Sequence, residues 1–261
     1  MPTDGKAVVL IPARWASTRF PGKPLAKILD KPMIQWVVER ARQAERVSEV
    51  IVATDDQRIF DAVVDFGGKA AMTAAHHVSG SDRIAEVAEG LDCDMIVNVQ
   101  GDEPLIPPEN IDRVIQSLVE NPTIPVSTLM IPVQSSEEVL DPNIVKVVGD
   151  QQGRAMYFSR SPIPFHRDEW GADTLMRMDD RRVQDSPGQV YKHVGIYGYT
   201  RSFLLEFTRM KPTPMEMLEK LEQLRILENG HSIRVIETEC HSIGVDRVED
   251  LEKIERLMRQ S

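Results

Sequence analysis

Apolar residues recur along this chain in two rhythms, and their alternation predicts the architecture. Val8 to Ile11 form an unbroken β-favouring run, and Pro12 behind it is expected to end a buried strand. Behind Pro32, Met33, Trp36, Val37 and Ala41 recur at helical spacing and predict a first crossover helix. Val50 to Thr54 reads as a second buried strand, followed by a helix from about Gln57 to Phe66 that Asp55 and Asp56 can cap and that Gly67 and Gly68 stop. Lys69 to Thr73 is a short third strand. A helix to about Leu91, with Ser81 or Asp82 as its cap, leads into a fourth strand, Met95 to Val99. Such βαβα units over roughly the first 120 residues predict an α/β fold with a doubly wound, mostly parallel sheet.

From about Pro125 the rhythm shortens. The runs VSTLMIPV, IVKVVGD, RAMYFSR and HVGIYGYT are separated by turn signals rather than helices. They predict antiparallel strands added to one edge, an insertion over about 125–200 within a single 1–261 domain, and a candidate dimerisation element. The proline-rich, charged segment between YFSR and HVGIYGYT reads as a long loop. Helicity returns at Phe203 to Phe207 and from about Pro214 to Glu228, where Met217, Leu218, Leu221, Leu224 and Leu227 share a face. After a last strand, Ile233 to Glu237, Asp246 with Glu249 fits a capping box before a terminal helix.

Charge narrows the choice of partners. A formal net charge of -10 over 261 residues disfavours nucleic acid and anionic membranes as partners. No apolar run has the length to span a bilayer or to form a signal-peptide core, so a cytosolic protein is expected. Cys93 and Cys240 are far apart in sequence and are expected to be reduced thiols, in neither a disulfide framework nor a zinc cluster.

The candidate chemistry lies where strands end. Arg14, Arg19 and Lys23, interleaved with Ser17, Thr18 and Gly22, follow the first strand and are placed to hold a polyphosphate at the crevice of an α/β sheet. The alternative is a solvated basic loop. Neither a P-loop nor a dinucleotide fingerprint is present. Asp102 and Glu103, directly after the fourth strand, are placed to hold a divalent metal on a nucleotide's phosphates, although Gly-Asp-Glu-Pro is also good turn chemistry. Ser79, Gly80 and Ser81 are candidates for contacts to a base or sugar. His76 and His77 are adjacent and diverge, so a shared metal site is disfavoured.

In order along the chain, IPARWASTRFPGKPL, IVATDD, VNVQGDEP, NIVKVV, YFSR, HVGIYGY, LEKLEQLR and GVDRVEDL resemble the 3-deoxy-manno-octulosonate (Kdo) cytidylyltransferases. The resemblance spans nearly the whole chain and implies transfer of CMP from CTP to an eight-carbon acid sugar, with release of pyrophosphate, for lipopolysaccharide assembly. It implies Arg14, Arg19 and Lys23 on the triphosphate, Mg²⁺ on Asp102 and Asp246, and Asp102 as a possible proton acceptor. It further implies that Gln100, Arg160, His193, Tyr197, Glu222 and Gln223 face the sugar, with Arg160 and His193 pairing with its carboxylate, and it implies a homodimer. Ala13, Ser79 and Gln100 are the expected contacts near the cytosine. Two departures stand out: Ala74 replaces an arginine usual in the loop after the third strand, and VDRVED lacks the usual proline. The 8-amino analogue of the sugar, a sialic acid, and a non-catalytic nucleotide-binding regulator are the alternatives.

Overall fold

The computed structural model describes residues 5–16, 20–167, 170, 189–245 and 247–259. It divides into two compact units: Met1–Pro122, Gly195–Arg209 and Cys240–Ser261 form the first, and Thr123–Val194 with Met210–Glu239 form the second. In chain order the first unit contributes β1 (Ala7–Ala13), a small ribbon of β2 (Lys27–Ile28) and β3 (Lys31–Pro32), α1 (Met33–Ala41), β4 (Val47–Thr54) and α2 (Gln57–Asp65). It continues with β5 (Lys69–Met72), α3 (Gly80–Glu89), β6 (Met95–Asn98) and α4 (Pro108–Glu120). The second unit holds β7 (Val126–Pro132), α5 (Ser136–Leu140), β8 (Lys146–Gly149), β9 (Ala155–Ser159) and the start of β10 (Tyr191–Thr200). The chain then forms α6 (Arg201–Phe207), α7 (Pro214–Glu219), α8 (Leu224–Glu228), β11 (Ile233–Glu237) and α9 (Glu249–Met258).

Within the first unit β1 lies between β4 and β6 and is parallel to both, β5 extends the sheet beyond β4, and the end of β10 joins β6 in antiparallel register. The chain moves outward from β1 to β4 and β5, then returns to the other side of β1 to form β6. That reversal makes a crevice at the carboxyl ends of β1 and β6. Strand β1 does not stop at Pro12. It runs on to Ala13, with Pro12 in register with Ala53 of β4. The ladder to β6 closes with Val99 donating to the Leu10 carbonyl, so the backbone position of Pro12 that lacks an N–H falls on the side where pairing has ended.

The apolar rhythm of β1 is buried throughout, with Val9, Leu10 and Ile11 at 0% exposure. Helix α2 is capped as expected: the Asp56 carboxylate accepts from the Arg58 backbone N–H at 3.0 Å. Helix α3 differs from expectation, because its N-cap is Ser79, in a capping box with Asp82. The N-cap position of helix α9 is Val248, with no side-chain cap bond, and the Arg247 N–H is taken by Asp250 at 2.8 Å. Asp246, and with it the expected Asp246–Glu249 box, lies outside the described residues. Ile28, Met33, Val245 and Ile254 form an apolar cluster that seats the C-terminal segment in this unit.

The second unit is only partly antiparallel. Strands β8 and β9 pair antiparallel, as do β8 and the start of β10, in keeping with the expected antiparallel insertion, while β7 and the later strand β11 run parallel to each other. The long helix expected from Pro214 to Glu228 is broken into α7 and α8, and Lys220 at the break has a φ of 55°. Met217 and Leu218 are exposed, while Leu221 and Leu224 beyond the break are buried. Arg225 at the start of α8 pairs with Glu216 of the α7 capping box at 2.5 Å, a contact that a continuous helix would not make at nine residues' separation. Most of the expected 160–192 loop lies outside the described residues.

Replacing Leu10 with Ala deletes a fully enclosed side chain in the central strand. The expected outcome is a loss of about 2–5 kcal/mol in denaturant unfolding, with the polar residues at the strand ends unchanged.

Candidate active site

A cavity of about 370 Å³ opens in the first unit, at the crevice where the direction of strand addition reverses. Pro12, Ala13 and Arg14 line it from the end of β1, Lys23 and Pro24 from the following loop, and Gln100, Gly101 and Asp102 from the end of β6. The remaining wall is His77, Val78, Ser79, Gly80 and Arg83, the entry and first turn of α3. Two glycines permit this closeness. A Cβ on Gly101 would lie 3.1 Å from the Pro12 carbonyl oxygen, and one on Gly80 would lie 3.1 Å from the Pro12 ring.

The basic loop has a definite conformation where it is described. The Gly22 N–H donates to the Trp15 carbonyl at 3.1 Å, and Gly22 adopts a φ of 71°, which leaves room for the Trp15 ring. The guanidinium of Arg58 sits 3.4 Å from the centre of that ring and is itself paired with Asp56 at 2.6 Å. Beyond Gly22, Lys23 enters a short 3₁₀ turn, Lys23–Leu25. Its ammonium reaches Asp102 Oδ2 at 2.6 Å. Lys23 is well covered, with 13% of its side chain exposed, while 40% of the Asp102 side chain remains exposed. Arg14 is exposed at the rim. Arg19 lies outside the described residues.

The turn after β6 also receives the C-terminal segment. The Val245 N–H donates to the Asp102 carbonyl at 2.9 Å, and Ser242 donates to Glu103 Oε2 at 2.8 Å. Burial is the main reason the Glu103 carboxyl is pushed up to about 7, and the neighbouring Asp102 charge acts in the same direction. Val245, the residue before Asp246, is thus held directly on Asp102. Among the described residues no group of three or more His, Cys, Asp or Glu side chains is arranged around a metal position.

Ser79 and Gln100, expected near the cytosine, both line the cavity with Ala13. The Ser79 hydroxyl accepts from the Asp82 N–H at 3.1 Å as the helix cap, and Gln100 donates to the Gly195 carbonyl at 3.5 Å. His77 is paired with Glu86, and Glu86 also accepts from the Ala74 N–H at 3.0 Å. A carboxylate therefore holds the loop where the resemblance leads one to expect an arginine. Sequence reading missed Arg83, which is 3% exposed, lines the cavity and reaches back to Thr73 and Asp55. A single arginine beside Asp82 in the first turn of a helix reads as an ordinary solvated residue and gave no signal. Asp55, by contrast, was read as a cap and is instead an anchor for this arginine.

The residues expected to face the sugar fall in different places. Tyr197 is in the first unit, opposite Asn98 in the β10–β6 ladder, with its ring 5.8 Å from that of Tyr199. Arg160, His193, Glu222 and Gln223 belong to the second unit. Arg160 donates through Nε to the Glu219 carbonyl at 2.7 Å, through Nη1 to that of Pro142 at 2.8 Å and through Nη2 to that of Lys220 at 3.5 Å. It is thereby fastened across the break that follows α7. Glu222 and Gln223 lie in the same break. His193 contacts the Thr128 hydroxyl at 2.8 Å and lies edge-on to Phe158, and burial pulls its imidazole down to about 3. In the ligand-free protein this burial favours the neutral imidazole, whose ring nitrogens are hydrogen-bonding groups.

Comparison with known proteins follows the same outline. Residues 8–234 match the family model described as Cytidylyltransferase. A 3-deoxy-manno-octulosonate cytidylyltransferase from Geobacter metallireducens is 55% identical over 255 residues, 97% of this chain and 98% of that one. One from Geotalea uraniireducens is 54% identical, over 97% of this chain and all of its own (100%). A solved structure of CMP:2-keto-3-deoxy-manno-octonic acid synthetase complexed with CTP superposes with a TM-score of 0.88 at 43% identity, covering 98% of this chain and 99% of that one. Among the described residues no helix is long and apolar enough to cross a membrane.

The depressed imidazole of His193 makes stability depend on pH in a defined direction. The unfolded chain takes up a proton near 6.5 and the folded chain does not until about 3, so the stabilisation is complete above 6.5 and drains away as pH falls. Urea unfolding at pH 7.5 and 5.0 is expected to show a loss of about 1 kcal/mol from this group, after discounting about 1.4 kcal/mol per unit for its partial exposure. His193→Gln is expected to remove that part of the acid limb.

Proposed function

This chain belongs to the cytidylyltransferase family, and from that premise we propose that it transfers CMP from CTP to the anomeric hydroxyl of 3-deoxy-D-manno-octulosonate, releasing pyrophosphate. The observation that carries the reading is the cavity at the strand reversal. There, a covered lysine and a half-exposed aspartate face the same space in a fold shared, at 43% identity, with a CTP-complexed synthetase.

In the reaction the sugar hydroxyl attacks the α-phosphorus, a new P–O bond forms, and the bond to the bridging oxygen of pyrophosphate breaks. Charge accumulates on the phosphoryl and leaving oxygens, so catalysis is mainly positioning and electrostatic stabilisation. Arg14 and Arg19 present forked donors to the triphosphate, and Lys23 adds a point charge. Ala13, Ser79 and Gln100 border the base. Asp102 and Asp246 are the proposed holders of Mg²⁺. Asp102 fits that role because its carboxylate is open to the cavity and already holds a cation, the Lys23 ammonium. When bound, the metal supplies Lewis-acid polarisation of the phosphate and of the attacking hydroxyl.

Gln100, Arg160, His193, Tyr197, Glu222 and Gln223 are proposed to contact the sugar. Arg160 and His193 are proposed to pair with its carboxylate, and Tyr197, Glu222 and Gln223 to read its hydroxyls. A cytosolic homodimer, with the 125–200 region as the dimer element, and a product destined for lipopolysaccharide complete the reading. It rests on the resemblance and on the near full-length relatives.

Pyrophosphate release from CTP is expected to require both Mg²⁺ and the sugar, to prefer Kdo over its 8-amino analogue and N-acetylneuraminate, and to stop in EDTA. Preference for the 8-amino sugar would rename the substrate, and no release with any sugar would favour a nucleotide-binding regulator. Asp102→Asn is expected to lower turnover by about 10²-fold or more.

Lys23→Met should act in opposite directions on two readouts. Turnover falls as a triphosphate contact is lost, while Mn²⁺ binding to the nucleotide-free protein tightens by roughly 3- to 10-fold because Asp102 loses its competing cation. Unchanged Mn²⁺ binding would show that the Lys23–Asp102 pair does not compete for metal in solution.

A further inference from the structure

Arg83 is an unusual group to find on the wall of this cavity. It is a permanent cation with only 3% of its surface exposed, and the basic loop does not account for it. Its guanidinium is held from two sides. Nη1 donates to the Thr73 hydroxyl at 2.5 Å and Nη2 to Asp55 Oδ2 at 2.9 Å. Asp55 directly follows β4 and Thr73 directly follows β5, and the Thr73 N–H is tied to the Thr54 carbonyl at 2.8 Å. The ends of two neighbouring strands therefore fix the plane and position of the fork. Asp55 supplies the charge that makes burial tolerable.

A guanidinium has five N–H groups and cannot accept a hydrogen bond. One each from Nη1 and Nη2 is directed to Thr73 and Asp55, and the residue lines the cavity with donors to spare. A buried, rigid, donor-only fork selects ligands by the acceptors they present in its plane. Among pyrimidines this distinction is sharp. Cytosine offers adjacent acceptors at O2 and N3, whereas uracil offers O2 beside an N3–H donor, which would face the fork donor to donor.

We propose that Arg83 is a specificity-determining residue that hydrogen-bonds O2 and N3 of the cytosine, and so selects CTP over UTP. The inference rests on the cytidylyltransferase reading and adds to it the group that recognises the base. Arg14 and Lys23 lie on the strand-loop side of the same cavity and serve the phosphates, which every nucleoside triphosphate shares, so they cannot supply this choice.

The test compares kcat/KM of the wild-type protein for CTP, UTP and 3-deazacytidine triphosphate, in which a C–H replaces N3, and repeats it with Arg83→Lys. The wild-type protein is expected to lose about 10-fold or more with the deaza analogue and more with UTP. Arg83→Lys keeps the charge beside Asp55 but not the planar fork, and is expected to shrink both ratios by about 10-fold. Because the analogue is tried on the native protein, a folding defect in the variant does not rescue the idea. Equal use of CTP and its deaza analogue would overturn it while leaving the cytidylyltransferase reading intact. So would a variant in which all three nucleotides fall together, since that is the signature of a purely structural clamp. Failure of the wild-type protein to turn over or bind CTP would sink the underlying reading and this inference with it.

Discussion

The first unit depends on the parallel pairing of β1 with both β4 and β6 and on where that pairing stops. On the β6 side it closes at Leu10, on the β4 side it continues to Ala13, and Pro12 occupies the interval where one flank has lost its partner. A proline is compatible with that interval because no ladder bond is asked of it. The two glycines that approach it, Gly80 from α3 and Gly101 from the turn after β6, bring both remaining walls to the same strand end. The cavity follows from this local geometry, since its lining residues are the ones that diverge from Pro12.

Charge is then placed by supports of different kinds. Lys23 is positioned by a backbone turn behind Gly22 and Trp15, with Arg58 stacked over the indole. Arg83 is positioned by an acidic and a hydroxyl side chain on two strand ends. Asp102 is positioned through its backbone, whose carbonyl accepts from Val245 and leaves the carboxylate to the cavity. The C-terminal segment in turn is seated by an apolar cluster around Val245 and Ile254, so burial remote from the chemistry sets the position of a polar turn. These supports do not compete for the same atoms. Packing alone does not explain the Lys23–Asp102 pair, because a carboxylate that is 40% exposed could be solvated by water. Its position is instead on the cavity lining, where the loop after β1 meets the turn after β6.

The second unit shows how polar contacts override helical periodicity. Apolar spacing from Pro214 onward is that of one amphipathic helix, yet Lys220 turns into the left-handed region and the chain restarts at Leu224. The buried Arg225–Glu216 pair stabilises the turn, and Arg160 donates to carbonyls at the break. Glu222 and Gln223 are consequently on irregular backbone, where side chains can be aimed independently of a helix face.

The sequence by itself determined the βαβα frame of the first unit, because unbroken apolar runs and 3.6-residue spacing are local signals that need no partner to be read. It also determined the Asp56 cap and the placement of Arg14, Lys23, Gln100 and Asp102 at strand ends, since strand ends coincide with abrupt changes from apolar to polar residues. Family resemblance, not spacing, gave the substrate. Only the tertiary structure decided that Ser79 rather than Ser81 or Asp82 caps α3, that β7 and β11 are parallel, and that the 214–228 segment breaks. It alone paired Arg83 with Asp55, 28 residues apart, and buried His193 so that its imidazole is pulled below the usual range. The physical reason is common to all of these: strand partners, ion pairs and desolvation depend on residues distant in sequence, and hydrophobic periodicity carries no record of which distant group arrives.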